Sequence, residues 1–120
     1  KALGCDMAGI GPFLPSSRTG FKNAPPGDPF LVKKAVAAAR LLMPKILLPA
    51  TTGLGVLDQN ARDRLFGSGA NVLMKSVTPK KYRDHYEIYD GKKNADRTPK
   101  QVYDEAAALI ESLGKRVNDV

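Results

Sequence analysis

Apolar residues follow two rhythms along this chain: short unbroken runs, and longer stretches in which every third or fourth position is apolar. The short runs at 7–11 (MAGIG), 46–50 (ILLPA) and 71–74 (NVLM) have the length of strands and are bounded by turn-forming residues. Pro12 stops the first run. Pro49, inside the second, suits a strand end and argues against a long central strand. Between these two runs Asp28 can cap a helix that has Pro29 at its first position. Leu31, Ala35, Ala38, Ala39 and Leu42 then recur at helical spacing as far as Pro44. After the second run Thr51, Thr52, Gly53 and Gly55 predict a turn, and Asp58 caps a short helix over 59–66 that Gly67 and Gly69 close.

The remainder reads as helix. Thr78-Pro79 opens a segment over 80–89, and Asp90-Gly91 marks a turn. Thr98, Pro99 and Gln101 form a capping box, followed by an apolar stripe of Val102, Ala106, Leu109, Ile110 and Leu113, with Gly114 as the stop. The order β-α-β-α-β-α-α defines an α/β fold of three parallel strands alternating with helices, joined by right-handed crossovers. Strand starts at 7, 46 and 71 lie 39 and 25 residues apart. A (β/α)₈ barrel spends roughly 31 residues per unit, so this spacing suits barrel repeats. Three strands cannot close a barrel, which leaves a small open sheet or one part of something larger. Such a piece has open edges and an uncovered face that includes Met7, Ile10, Leu47 and Val72. The expectation is a homodimer, or a cover made by the 12–29 loop or the C-terminal helix.

Composition narrows the function classes. With 120 residues the chain is one small domain, and its 42% apolar and 26% charged residues are ordinary for a folded protein. A collagen-like repeat and a disordered acidic tail are excluded. No apolar run approaches the ~18–20 residues of a membrane helix. The opening KALGCDMAGIGPF, with an early Asp6, is no secretory signal, so cytoplasm is the expected compartment. Cys5 stands alone, which excludes a disulfide framework, a structural zinc site and a cysteine-held cluster within this chain. Nineteen basic against twelve acidic residues give a net charge of +7. The densest basic stretch, KSVTPKKYR at 75–83, lacks any nucleic-acid-binding signature and reads as solvated surface.

Four strings, in order, carry a resemblance: DMAGIGPFLPSSRTGF, LLMPKILLPATTGLG, GSGANVLMKSVTPKKYRDHYEIYDGKK and the tail ALIESLGKRV. Together they resemble the last third of a radical S-adenosylmethionine enzyme, of the group that includes the HydE maturases of [FeFe]-hydrogenase and, nearby, biotin synthase. The resemblance implies that the three strands are the last three of a TIM barrel, and that residues 1–120 form a C-terminal partial barrel. It also implies a four-iron, four-sulfur cluster on a Cys-x₃-Cys-x₂-Cys loop in the preceding part, with S-adenosylmethionine bound to its open iron. This chain has no such loop, and it starts at Lys1 directly before a strand. It is therefore expected to be a substrate-side fragment with no catalytic residue or metal ligand of its own. Its partners would be the N-terminal part of the barrel and, in the parent, a small-molecule substrate. The alternative is a free-standing α/β module that binds a ligand or protein without radical chemistry.

The resemblance assigns roles that the residues also permit on plainer grounds. Met7 would line the substrate cavity, with Gly9, Ile10 and Gly11 admitting the nucleoside; equally, the glycines relieve crowding before a turn. Gly9-Ile10-Gly11 is no dinucleotide fingerprint, because Leu14 stands where the third glycine belongs. Thr51 and Thr52 follow a strand, where barrel sites gather, and offer two hydroxyls to substrate; otherwise those hydroxyls satisfy backbone groups of a turn. Met74 would line the same cavity, or simply fill a core. The relatives usually continue with Pro-Asn where this chain has Lys75-Ser76, which alters the cavity rim. Tyr86 and Tyr89 would lie near the adenosyl group, although with Tyr82 they also form a packing stripe at i, i+4, i+7. His85 has no spacing that suggests a triad, and Asp84, His85 and Glu87 point in different directions around a helix.

Overall fold

A computed structural model describes residues 4–83, 89 and 97–118. The chain divides into two compact units, one formed by 1–74 with 89–92 and the other by 75–88 with 93–120.

In the first unit, helix α1 spans Pro29–Leu42. Asp28 caps it as the sequence predicts: its Oδ1 accepts from Phe30 N–H at 2.8 Å, with Pro29 in the first turn. Asp28→Ala should cost about 1 kcal/mol, the usual value of such a cap, visible as a lower denaturant midpoint. The buried face of α1 is Val32, Val36 and Ala39. The predicted stripe is displaced from it: Leu31 and Leu42 are 64% and 68% exposed. Both rows are apolar at helical spacing, and only one of them meets the core.

The sheet has two parallel strands, β1 (Pro49–Ala50) and β2 (Val72–Leu73), with Pro49 opposite Val72 and Ala50 opposite Leu73. The register is pinned by Asn71, whose Oδ1 accepts from Leu48 N–H at 2.7 Å while its own N–H donates to Leu48 O at 2.9 Å. The predicted first strand is reduced to an isolated parallel bridge between Met7 and Leu47. Ala8 N–H donates to Leu47 O and Leu47 N–H to Asp6 O, at 3.0 and 2.9 Å. The next rung would require Pro49 to donate to Ala8 O, and proline has no N–H. Pairing stops there, so two strands and a bridge replace the expected three strands.

Alternation separates the two faces of this sheet. Ile46, Leu48 and Ala50 are buried and join Val36, Leu54, Leu65 and Phe66 in the core. Met7 and Leu47 look the other way and are 44% and 40% exposed, whereas Pro49, on the face of Leu47, is buried. Met74, just past β2, is exposed as well.

Residues 51–55, predicted as a turn, instead open a helix. Helix α2 (Thr52–Leu57) leads into α3 (Gln59–Arg64) and a 3-10 turn over Leu65–Ser68. Asp58 serves both helices: its N–H donates to Leu54 O, and its Oδ1 caps α3 by accepting from Ala61 N–H at 3.0 Å. Gly55 provides clearance rather than a bend, since a β-carbon there would lie 2.8 Å from Cδ of buried Arg62. Arg62 pairs with Asp63 at 2.8 Å. Gly69 closes the segment at φ 114°, and its carbonyl accepts from Arg40 Nε at 2.9 Å.

In the second unit, α4 covers Lys80–Arg83 and α5 covers Pro99–Ser112. Half of the predicted 80–89 helix, residues 84–88, lies outside the described residues. The capping box forms as predicted: Thr98 Oγ1 accepts from Gln101 N–H, and Gln101 Oε1 accepts from Thr98 N–H at 2.8 Å. Gly114, at φ 69°, ends α5, and Lys115 N–H closes the last turn on Ile110 O. The predicted stripe from Val102 to Leu113 is half-buried.

Candidate functional site

The register brings several of the predicted residues to one level. Ala50 pairs with Leu73, so Thr51 and Met74 each stand one residue past the carboxyl end of a strand. Gly11 reaches the same level by direct approach. A β-carbon at Gly11 would sit 2.9 Å from Thr51 Oγ1 and 3.5 Å from its Cβ. Bare backbone at Gly11 therefore makes room for the Thr51 side chain. Met7 bridges Leu47, four residues before Thr51 in the register and about 13 Å away along the sheet.

Thr51 is the N-cap residue of α2, yet its side chain makes no capping hydrogen bond. Its Oγ1 is buried and has no hydrogen-bond partner among the described residues. The plain alternative, a turn hydroxyl satisfying backbone groups, is not what the structure has. Thr52 is the first residue of α2 and is half-buried. Gly53, the next residue, is buried under two side chains: a β-carbon there would meet Leu14 Cδ1 at 3.4 Å and the Tyr89 ring and hydroxyl at 3.6 Å. The run Thr51-Thr52-Gly53 thus gathers Gly11, Leu14 and Tyr89 around the end of β1.

The other predicted positions are less engaged. Gly9 is exposed with open space where a β-carbon would be, and Ile10 is half-buried. Tyr82 is exposed. Tyr86, His85, Asp84 and Glu87 lie outside the described residues. Leu14 and the clearance at Gly53 were invisible in the sequence, since each depends on a contact across dozens of residues. A groove of about 410 Å³ lined by Cys5, Asp6, Met43, Lys45 and Ile46 lies before the strands, at the opposite end from Thr51.

No group of three or more His, Cys, Asp or Glu side chains comes together among the described residues. Cys5 is free and exposed, and its thiol donates to Met7 O at 2.9 Å. One thiol cannot hold an iron–sulfur cluster that needs three or four. Among the described residues, no helix is long and apolar enough to cross a membrane.

A two-stranded parallel sheet mixed with helices places the chain in the α/β class, whose ligands bind beyond the carboxyl ends of the strands. No family model matches the sequence. Among curated proteins, the chain is similar to the [FeFe] hydrogenase maturase subunit HydE of Thermotoga maritima, 44% identical over 87 residues. That stretch is 72% of this chain and 25% of the relative, so the chain spans about a quarter of the curated protein it matches. Over those residues the chain is HydE-like.

Proposed function

We propose that this chain is the C-terminal, substrate-side portion of a HydE-like radical S-adenosylmethionine enzyme. Its two strands and bridge, with helices on one face, are three consecutive units of a barrel in this reading, and the face carrying Met7, Leu47, Thr51 and Met74 is the interior. Similarity to HydE supports the assignment. The observation that carries it is the buried, unpartnered Thr51 hydroxyl at the end of β1. A hydroxyl offers one donor and two acceptor lone pairs. Leaving it unsatisfied costs about 1–3 kcal/mol, a cost removed when a polar group of a ligand reaches it. Tyr89 and Leu14 shield the neighbouring backbone, and Met74 supplies a soft apolar wall at the same level. Gly9, Ile10 and Gly11 complete the cofactor side of the cavity in this reading, and Met7 and Thr52 its substrate side.

The cluster, and the iron to which S-adenosylmethionine binds, belong to the part of the enzyme outside this chain, and the setting is cytoplasmic in this reading. The 120-residue chain alone should therefore retain no stoichiometric iron after anaerobic reconstitution and should not cleave S-adenosylmethionine. Iron–sulfur absorbance at one cluster per chain would contradict this. The positive test is a chimera of Thermotoga maritima HydE in which this chain replaces the matching segment. A folded, cluster-loaded chimera should cleave S-adenosylmethionine; one that folds, loads its cluster and does not cleave it would refute the assignment.

A further inference from the structure

The segment from Phe13 to Lys34 gathers three of the chain's four phenylalanines at one end of the first unit, and none of the three is in the core. Phe13, Phe21 and Phe30 are 49%, 68% and 59% exposed, whereas Phe66 is buried. Gly11 stands beside Thr51 just past the end of β1, and Phe13 follows two residues later. Gly27 N–H donates to Phe13 O at 2.8 Å, which brings the start of α1 back to the same end. The Phe13 and Phe21 rings meet edge to face, with centroids 6.2 Å apart. Phe30 and Lys34 lie roughly 160° round α1 from the buried row of Val32, Val36 and Ala39, so they face away from the core. Lys34 Nζ sits 4.5 Å from the Phe30 ring centroid.

This exposure is held in place by the backbone. Thr19 N–H donates to Ser16 O, Lys22 N–H to Thr19 O and Ala24 N–H to Phe21 O, at 3.1, 3.2 and 2.9 Å. Phe21 N–H donates to Thr19 Oγ1 at 3.2 Å, so successive turns fix the tip that carries the Phe21 ring. The charge around it has one sign. Arg18, Lys22, Lys33 and Lys34 are exposed, and the one acidic residue of the segment, Asp28, is occupied in capping α1. Exposed apolar patches rimmed by polar groups mark protein or membrane contacts. Protruding rings among cations match a lipid interface, where rings enter the boundary between headgroups and acyl chains and cations stay on anionic headgroups. A protein partner would need a pocket shaped to receive the rings; a bilayer surface needs none. Edge-to-face rings also lack the parallel platforms on which successive bases stack.

We infer that the Phe13–Lys34 segment docks this chain on an anionic membrane surface, with Phe13 and Phe21 inserted and Arg18 and Lys22 on the headgroups. Such peripheral contact requires no membrane-spanning helix. It stands apart from the enzyme assignment, because vesicle binding and S-adenosylmethionine cleavage can each fail without the other.

The unaltered 120-residue chain should co-sediment with vesicles of equal parts phosphatidylglycerol and phosphatidylcholine, and not with phosphatidylcholine alone. Arg18→Gln/Lys22→Gln should weaken that partition by more than about tenfold, and Phe21→Ser by about tenfold. Lys115→Gln/Arg116→Gln removes the same charge from exposed residues near the C-terminus and should change it by less than about twofold. The chain contains no tryptophan, so Phe21→Trp places a single reporter at the loop tip. Its emission should move to the blue on the mixed vesicles and be quenched by brominated acyl chains. Leu41→Trp, at the far end of α1 and 83% exposed before substitution, should show neither change. Failure of the unaltered chain to co-sediment overturns the inference. So does an equal loss with the Lys115/Arg116 change, which would reduce the effect to net charge. A blue shift of Phe21→Trp that grows with protein concentration without vesicles overturns it in favour of a second copy, and one produced by oligouridylate but not by vesicles overturns it in favour of RNA.

Discussion

Leu48→Ala should unfold the chain at a far lower denaturant concentration than the parent sequence, with a loss of about 2–5 kcal/mol. Leu48 has no exposed surface. It lies between two groups that cannot follow a shrinking side chain. On one side its backbone is held by Asn71, through both the side-chain amide oxygen and the main-chain N–H. On the other it packs within the core that holds Val36, Leu54 and Leu65, each buried to within 1%. A truncation there leaves a cavity, because the pinned strand cannot close on it. Small domains hold only about 5–15 kcal/mol in total, so the loss would be a large share of the whole. Leu42→Ala is the internal control. With 68% of its surface exposed, Leu42 contributes little to the chain alone, and its truncation should move the transition by less than about 0.5 kcal/mol. Equal midpoints for the two variants would mean that the buried row of α1 and the core strand had been misassigned.

The contrast between Leu48 and Leu42 also shows where sequence reading succeeds and where it stops. The caps at Asp28, Asp58 and Thr98 and the glycine stops at Gly69 and Gly114 are local chemistry, decided within four or five residues, and all are present. Which of two apolar rows on α1 enters the core depends on where β1 and the 3-10 turn lie. Helical spacing alone is satisfied by either row. The predicted first strand was cut to a bridge at Met7 by a single missing donor at Pro49, whose consequence appears only when the pairing register is known. Gly53 and Gly55 look like turn residues in the sequence. In the fold they are clearances for Tyr89 and Arg62, so the helix they sit in could not be foreseen from their identity. The candidate site divides in the same way. That Thr51 follows a strand was legible; that its hydroxyl would be buried beside Gly11 without a partner was not.

Thr51→Val puts that orphan hydroxyl to a test in which stability and activity should move in opposite directions. Valine keeps the shape of threonine and leaves the contact with bare Gly11 intact, while removing the unpartnered oxygen. A hydroxyl that caps a helix or ties down a turn would be missed, and its removal would destabilise the chain by about 1 kcal/mol. A buried hydroxyl with no partner is already a cost, so the 120-residue chain carrying Thr51→Val should be more stable by about 1 kcal/mol, read as a higher denaturant midpoint. In the HydE chimera the same change should lower turnover by more than about tenfold, equivalent to roughly 1.4 kcal/mol of lost transition-state stabilisation. Thr51→Ser, which restores the oxygen without the methyl group, should recover most of that turnover and none of the added stability. This pattern is expected of a polar group held out of place in the empty protein for the sake of a ligand. If Thr51→Val destabilises the chain, the hydroxyl has a structural partner, and the site at the end of β1 loses the observation on which it rests.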